Sequence, residues 1–457
     1  MTQAHIPMTK THELGLFSSS LQYSDLPANV AHYAQRALVD WTAATIGAVN
    51  EPAAKKVRKV VAASGSGGPA NVIGTRISTN AMFAALANAY TSHLLDFDDC
   101  YNPLETTIHL SSCLWGAILA VGQLRELSGK EVLAAYVAGF ETGARVARAA
   151  GPSHYQSAWH VTGVCGHVAA AAAVANALKL SPAAATHALG AAATQGAGIR
   201  EVYGSDTKAI HPGKAAMDGV LSGLLAEAGF TSIDTAIEGQ RGLLAAVSKE
   251  PAPDLLVEGL GTAWQILENG NKLYPTASLT HAPIEAATHA TESGNLDPAD
   301  IEGIVVRVHP FTAAVTALVH PADGQAARFS TPHCIAVPLA RGKLTLADFS
   351  QVVIDDPLIK HLRSLVALVG DAAMDRRGCE LTIQMRSGKA LRIDVARNRG
   401  TPAVPLTDDE LSKKFSDAAS GVLDPAVVAP VLGAMWGLDK ASDVSGFVRR
   451  LAVPHRD

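Results

Sequence analysis

Five stretches of the chain gather residue types that move protons or hold anions. The first is His93-Leu94-Leu95-Asp96-Phe97-Asp98-Asp99-Cys100, followed by Thr106-Thr107-Ile108-His109-Leu110-Ser111-Ser112. Three carboxylates close an otherwise apolar helix there. Crowded carboxylates raise one another's proton affinity, so one of them suits the work of a general base near neutral pH. A solvated helix end or a divalent-metal site explains the same residues about as well. His93, one turn before Phe97, reads as a core or supporting histidine. The second stretch, Ser157-Ala158-Trp159-His160-Val161-Thr162-Gly163-Val164-Cys165-Gly166, is a polar break before an alanine-rich helix. His160 is placed there to transfer a proton, and exposed amides with the helix dipole favour a carboxylate. Capping and packing are the plainer explanation, and Cys165 reads as packing.

The third stretch, Gly204-Ser205-Asp206-Thr207-Lys208-Ala209-Ile210-His211-Pro212-Gly213-Lys214, brings two lysines and a histidine to a helix start, which suits a polycarboxylate; a solvated basic loop is the alternative. The fourth is Asn271-Lys272-Leu273-Tyr274-Pro275 with Thr280-His281-Ala282, lying where the chain changes character, and clefts between domains are common binding sites. The fifth, His309-Pro310 and His320-Pro321, reads as loop. There is no phosphate loop, dinucleotide fingerprint, G-x-S-x-G elbow or H-E-x-x-H pair.

Several of these histidines fall in breaks between helices, where side chains can converge on a cleft. From Pro27, Val30, Ala34, Ala37, Leu38, Trp41 and Thr45 recur at helical spacing, and Met82, Ala85, Leu86, Ala89 and Tyr90 repeat the pattern. Further helices are expected at Cys113–Leu127, Glu131–Ala150, Gly166–Lys179, Pro182–Gln195 and Gly213–Ala228. The Gly166 helix has no charged face, so it must be surrounded by other helices. After about Glu268 the pattern changes. Ile304, Val306 and Val308 alternate as in a strand. Leu381, Ile383 and Met385, then Leu391, Ile393 and Val395, flank Ser387-Gly388-Lys389 as a β-hairpin. Thr331-Pro332 opens a helix ending near Gly342, and Thr407 to Glu410 resembles a capping box opening a helical tail. The expectation is a mainly α protein with a smaller α+β domain: residues 1–268 form the helical domain, completed by 406–457, and 269–405 form the α+β domain.

With 457 residues, 48% hydrophobic and 17% charged, the chain can bury a large core, which excludes disorder. A net charge of −5 gives no general attraction to nucleic acid or an anionic membrane, so a small-molecule partner is expected. The charge-free run Ala149–Leu178 is too interrupted by polar residues to span a bilayer. Five scattered cysteines without a C-x-x-C pair argue against zinc or iron–sulfur ligation and for a reducing compartment. Met1–Glu13 has no apolar segment of signal-peptide type, so a cytoplasmic location is expected.

Taken in order, DFDD followed by a His-x-Ser, WHxTG before an alanine-rich helix, DTKxxHxGxAA, and KxYPxxxxTHAxIEA resemble the MmgE/PrpD family, from about Leu26 to Trp436. Its members include 2-methylcitrate dehydratase, cis-aconitate decarboxylase and iminodisuccinate epimerase. The resemblance implies a large helical domain with a smaller α+β lid, a homodimer, a site between the domains, and no metal or organic cofactor. It implies Asp96, His109, His160, Lys208 and His281 as catalytic residues, with His211, Lys272 and Tyr274 at neighbouring motif positions. Leu110 stands where many relatives have proline, Cys100 where the decarboxylase branch has threonine, and Thr276-Ala277 where a cysteine pair is common.

All three reactions make or quench a carbanion beside a carboxylate, which demands a positioned base and cations for the developing enolate. Lys208, His160 and the amides near Gly163 and Gly166 are expected to hold carboxylates, while Asp96, His109 and His281 share proton removal and delivery. The leading expectation is a cofactor-independent dehydratase of a 2-methylcitrate-like acid. An epimerase or decarboxylase on the same scaffold, and a non-catalytic helical binding or scaffold protein, are the alternatives.

Overall fold

The computed structural model describes residues 8–65, 67–102, 106–292, 294 and 296–452. Residues 1–7, part of the stretch read above as lacking a signal peptide, lie outside them. The chain divides into two compact units. One comprises the chain up to Leu94, Asp98–Gly270 and the chain from Asp408 onward; the other comprises Leu95–Phe97 and Asn271–Thr407.

The first unit is helical. Its helices are α1 (Lys10–Ser20), α2 (Ala28–Ala48), α3 (Pro52–Ala63), α4 (Ala81–His93), α5 (Leu110–Arg125), α6 (Gly129–Gln156), α7 (Val161–Ala177), α8 (Pro182–Ala193), α9 (Ile210–Glu227) and the short α10 (Leu243–Val247). Their starts follow from side-chain capping. Asn80 accepts from the Phe83 amide, Ser181 from that of Ala184, and Ser128 with Glu131 forms a capping box. Two short antiparallel pairs join them: β1 (Ala70–Asn71) with β2 (Ser78–Thr79), and β3 (Cys100–Tyr101) with β4 (Asn269–Gly270).

Every residue of α7 is buried, as its uncharged sequence requires. Small side chains let its neighbours come close. A Cβ on Gly219 of α9 would sit 2.4 Å from the Ala170 Cβ and 2.8 Å from the Ala170 carbonyl carbon, so only glycine allows this crossing. α7 begins at Val161, a full turn before the expected start at Gly166, because His160 takes the N-cap position and the chain turns helical at once. α5, α6 and α9 likewise start two to three residues earlier than their apolar periodicity suggested.

The second unit is α+β. Its helices are α11 (His281–Glu292), α12 (Pro310–Thr316), α13 (Gly324–Ala327), α14 (Thr331–Arg341), α15 (Gln351–Ile354) and α16 (Pro357–Ser364). Its strands are β5 (Ile301–Val308), β6 (Val366–Gly370), β7 (Cys379–Met385) and β8 (Ala390–Val395), in the order β6-β5-β7-β8. β7 and β8 form the expected hairpin, in which Gly388 adopts φ 83° at the turn. Ile304, Val306, Val308, Leu381 and Ile383 turn inward into one buried core, which Ile284 and Ala287 of α11 and Ile335 and Leu339 of α14 share. β6, parallel to β5, had no sequence signal: it is an edge strand whose burial does not alternate. After this unit the chain returns to helices α17 (Asp408–Ala419), α18 (Pro425–Trp436) and α19 (Ser445–Arg450), which belong to the helical unit. The buried Lys414 ammonium of α17 meets the Asp40 carboxylate of α2 at 2.8 Å. Among the described residues, no helix is long and apolar enough to cross a membrane.

Candidate functional site

In the helical unit, the end of α4 and the starts of α5, α7 and α9 present four histidines: His93, His109, His160 and His211. The rings of His93 and His109 meet edge to face at 4.7 Å, and those of His93 and His160 stack at 5.9 Å. Asp98 binds the first two. Its Oδ2 lies 2.9 Å from His93 Nδ1 and 3.3 Å from His109 Nδ1, and it also accepts from the Ser112 hydroxyl. His109 Nδ1 additionally donates to the Asp99 carbonyl at 2.9 Å. A carbonyl oxygen only accepts, so His109 Nδ1 carries a proton. His93 donates to Asp98 in the same way, and its Nε2 has no hydrogen-bond partner.

The three clustered carboxylates have separate fates. Burial pushes the Asp98 carboxyl up, but its interaction with the His93 and His109 imidazoles, including a hydrogen bond from each, takes it well below the usual carboxylate range. It is an anion that orients two imidazoles. Asp99 goes the other way: burial first, then the nearby Asp40 charge, raises it well above the usual range, although Ser111 and Asn269 donate to it at 2.5 and 2.7 Å. Asp96 belongs to the other unit, where it adopts φ 51° and pairs with Lys272 at 2.9 Å. Of the three carboxylates that crowding marked as candidate bases, Asp98 is thus shifted down, Asp99 is shifted up and Asp96 is in an ion pair.

His160 and His211 approach through their Nδ1 atoms at 2.8 Å. One must donate and the other accept, so one ring carries its proton on Nδ1 and the other on Nε2. Gly198, at φ 139°, allows this: a Cβ there would sit 3.1 Å from three atoms of the His211 ring. Burial pushes His160 well below the usual histidine range, with the Lys208 charge adding to it. The same two causes take His211 down to about 4, and burial takes His93 to about 4. At neutral pH these three rings are uncharged, and the nearby buried cation is Lys208. An entering carboxylate reverses that field and makes imidazolium accessible.

Gly163 lies in the first turn of α7, against Ala197 and His211. Gly166 is a turn further in, packed on Cys113 and Ala215. Its amide is spent on helix bonding, so the expectation that it holds a carboxylate is corrected. Burial pushes the Cys165 thiol up to about 12, in keeping with packing. Lys214 is half-exposed and pairs with Asp218 at 2.5 Å. His93, Asp98 and His109 offer metal-ligand atoms within 4.8 Å of one another. Their hydrogen bonds to Asp98 already account for that closeness.

The α+β unit carries a second group. Lys272 Nζ, almost fully buried, bonds both the Asp96 carboxylate at 2.9 Å and the Asp96 carbonyl at 3.0 Å. His281, at the start of α11, meets the Tyr274 ring edge to face at 5.3 Å. Burial, then the Lys272 charge, pushes His281 well below its ordinary range, and its Nε2 has no hydrogen-bond partner. Arg328 fixes the loop between them: its guanidinium donates to the Pro275 carbonyl at 2.7 Å, and its own carbonyl accepts from the Ala277 amide.

The sequence residues thus fall into two groups, His109, His160, Lys208 and His211 in one unit and Asp96, Lys272, Tyr274 and His281 in the other. Asp98 was the omission. It shares its motif with Asp96, and only its position five residues after His93, on the same turn of chain, hints that it is the histidines' anchor.

The sequence matches the MmgE/PrpD N-terminal domain over residues 12–256 and the MmgE/PrpD C-terminal domain over 274–436. It is 26% identical to a cis-aconitate decarboxylase of Aspergillus terreus, covering 97% of this chain and 96% of that protein. It is 24% identical to the cis-aconitate decarboxylase of Homo sapiens, covering 81% and 79%. A 2-methylcitrate dehydratase of Cupriavidus necator is 33% identical over 22% of each chain. Two motif-bearing units, each matched by its own domain and each in the expected fold class, make this chain a member of the MmgE/PrpD family.

Proposed function

We propose that the protein is a lyase that eliminates water from a hydroxylated di- or tricarboxylate of the 2-methylcitrate class, without metal or organic cofactor. The observation that carries this reading is the 2.8 Å contact between His160 and His211 Nδ1 atoms beside an Asp98-oriented His109. Removing a proton next to a carboxylate needs a base, the role assigned to His109, whose ring Asp98 orients through Nδ1. Expelling hydroxide from the neighbouring carbon needs a donor, and one ring of the His160–His211 pair presents an Nε2–H. Lys208 holds the carboxylate whose enolate form gains charge in the transition state. Asp96 and His281 are assigned proton-carrying roles, and Lys272 and Tyr274 substrate-binding ones. The same reading takes the working form to be a cytoplasmic homodimer.

Decarboxylation is the second reading, favoured by the cis-aconitate decarboxylases that match along nearly the whole chain while the dehydratase matches 22% of it. It uses the same enolate and needs one proton donor to carbon. The test is turnover of 2-methylcitrate-like, aconitate-like and aspartate-derived acids in deuterated water, with and without chelator. An unsaturated product from the hydroxy acid supports dehydration; carbon dioxide release from an aconitate-like acid supports the second reading. Deuterium exchange or epimerisation without either product overturns both, as does a Lys208→Ala variant with full turnover. Loss of activity on chelation overturns the metal-free part.

A further inference from the structure

Tyr203 follows the 3₁₀ turn Arg200–Val202 and stands outside every motif that singled out the other residues. It is half-buried, and its ring meets three groups of the helical unit. The His160 imidazole stands edge-on to it, with 5.3 Å between centroids and 84° between planes. The Lys208 ammonium lies 5.3 Å from its centroid. The Arg200 guanidinium is at 5.9 Å, but lies closer to Tyr155, at 3.9 Å, and bonds the Tyr155 carbonyl. Arg200 is therefore held by Tyr155, and Lys208 is the cation for which Tyr203 is the aromatic neighbour.

Lys208 is 8% exposed, so water does little to fix its ammonium. A lysine has four rotatable bonds, and a site that discriminates carboxylates gains from contacts that restrict them. An aromatic face attracts a cation along the ring normal, and its edge attracts a partial negative charge or a ring face. One side chain can in this way fix both Lys208 and His160. We propose that Tyr203 is a positioning residue whose ring holds the Lys208 ammonium and the His160 imidazole in a fixed relation, ready for a substrate carboxylate.

The kinetic arm of the test rests on the lyase reading above; the structural arm does not. Tyr203 is replaced by Phe, by phenylalanines carrying one, two and three ring fluorines, and by Leu. Fluorine draws electron density from the ring face while leaving its shape nearly unchanged, so a packing role gives a flat series. The expected result is a Phe variant close to the parent, KM rising with each fluorine to about tenfold in the trifluoro variant, and kcat moving less. A flat series overturns the proposal. In the structural arm, ligand-free crystal structures of the Phe and trifluoro variants are compared. Lys208 stays over the ring in the first and leaves it in the second; an unmoved Lys208 overturns the proposal whatever the reaction is. Should the parent process no polycarboxylate, the lyase reading fails alone and the structural arm still decides. The Leu variant, if folded, is expected to match or exceed the trifluoro loss in affinity; a Leu variant equal to Phe overturns the proposal as well.

Discussion

Replacing Asp98 with asparagine tests the electrostatic argument at its centre. Asp98 is fully buried and accepts from His93 Nδ1 at 2.9 Å, His109 Nδ1 at 3.3 Å and the Ser112 hydroxyl. A hydrogen bond to a charged group contributes about 1.5–3 kcal/mol, so the two imidazole contacts together hold about 3–6 kcal/mol. The His109 share enters the rate, because the carboxylate stabilises the imidazolium that forms as His109 takes a proton. Asparagine is neutral and withdraws that stabilisation, while the Asp99 carbonyl still accepts from His109 Nδ1. A loss of about 3 kcal/mol corresponds to roughly a hundredfold in kcat. The assay is kcat and KM for the acid that the wild-type enzyme turns over, from pH 5.5 to 9, with circular dichroism and a thermal melt on the same samples. KM is expected to change little, since no carboxylate of the substrate is held by Asp98. An Asp98→Asn variant that is folded and keeps kcat within about threefold of wild type would refute the orienting role.

Three further outcomes follow from buried charge and close packing. Burial holds His93, His211 and His333 at about 4, while an unfolded histidine titrates near 6.5. The unfolded chain therefore binds more protons between those values, so their contribution to stability is present above about pH 6.5 and is lost as pH falls toward about 4. Urea midpoints at pH 7.5, 6 and 5 should decline in that order, and a midpoint unchanged to pH 5 contradicts the neutral-histidine assignment. Lys414→Met leaves the Asp40 carboxylate buried without its 2.8 Å partner and should cost about 3–5 kcal/mol, with much of the loss recovered in the Lys414→Met/Asp40→Leu double variant. Equal stability of the single and double variants in denaturant unfolding would show that the pair is not coupled. Gly219→Ala should lower stability by about 1–3 kcal/mol despite the better helix propensity of alanine, because its Cβ meets Ala170 at 2.4 Å; a raised melting temperature would place α7 and α9 further apart than described.

What the sequence made legible, and what it hid, follows from the range of the interactions concerned. The uncharged face of α7 announced an interior helix because burial of a whole helix is a property of that segment alone. The β7–β8 hairpin was legible for the same reason, its alternation and its Ser387-Gly388-Lys389 turn lying within one short stretch. β6 was not, since an edge strand half open to solvent is defined by β5, some sixty residues earlier in the chain. The three DFDD carboxylates show the limit most clearly. In sequence they are alike, and crowding suggests only that one of them could serve as a base. In the structure Asp98 has two imidazoles, Asp99 has hydroxyl and amide donors beside the Asp40 charge, and Asp96 has a lysine that lies 176 residues away. Each partner comes from a different part of the chain, and the partner decides which carboxyl is anion, acid or ion pair. The residue type marks where chemistry can occur. The role of each carboxyl is fixed only once the helices that supply its partners have closed around it.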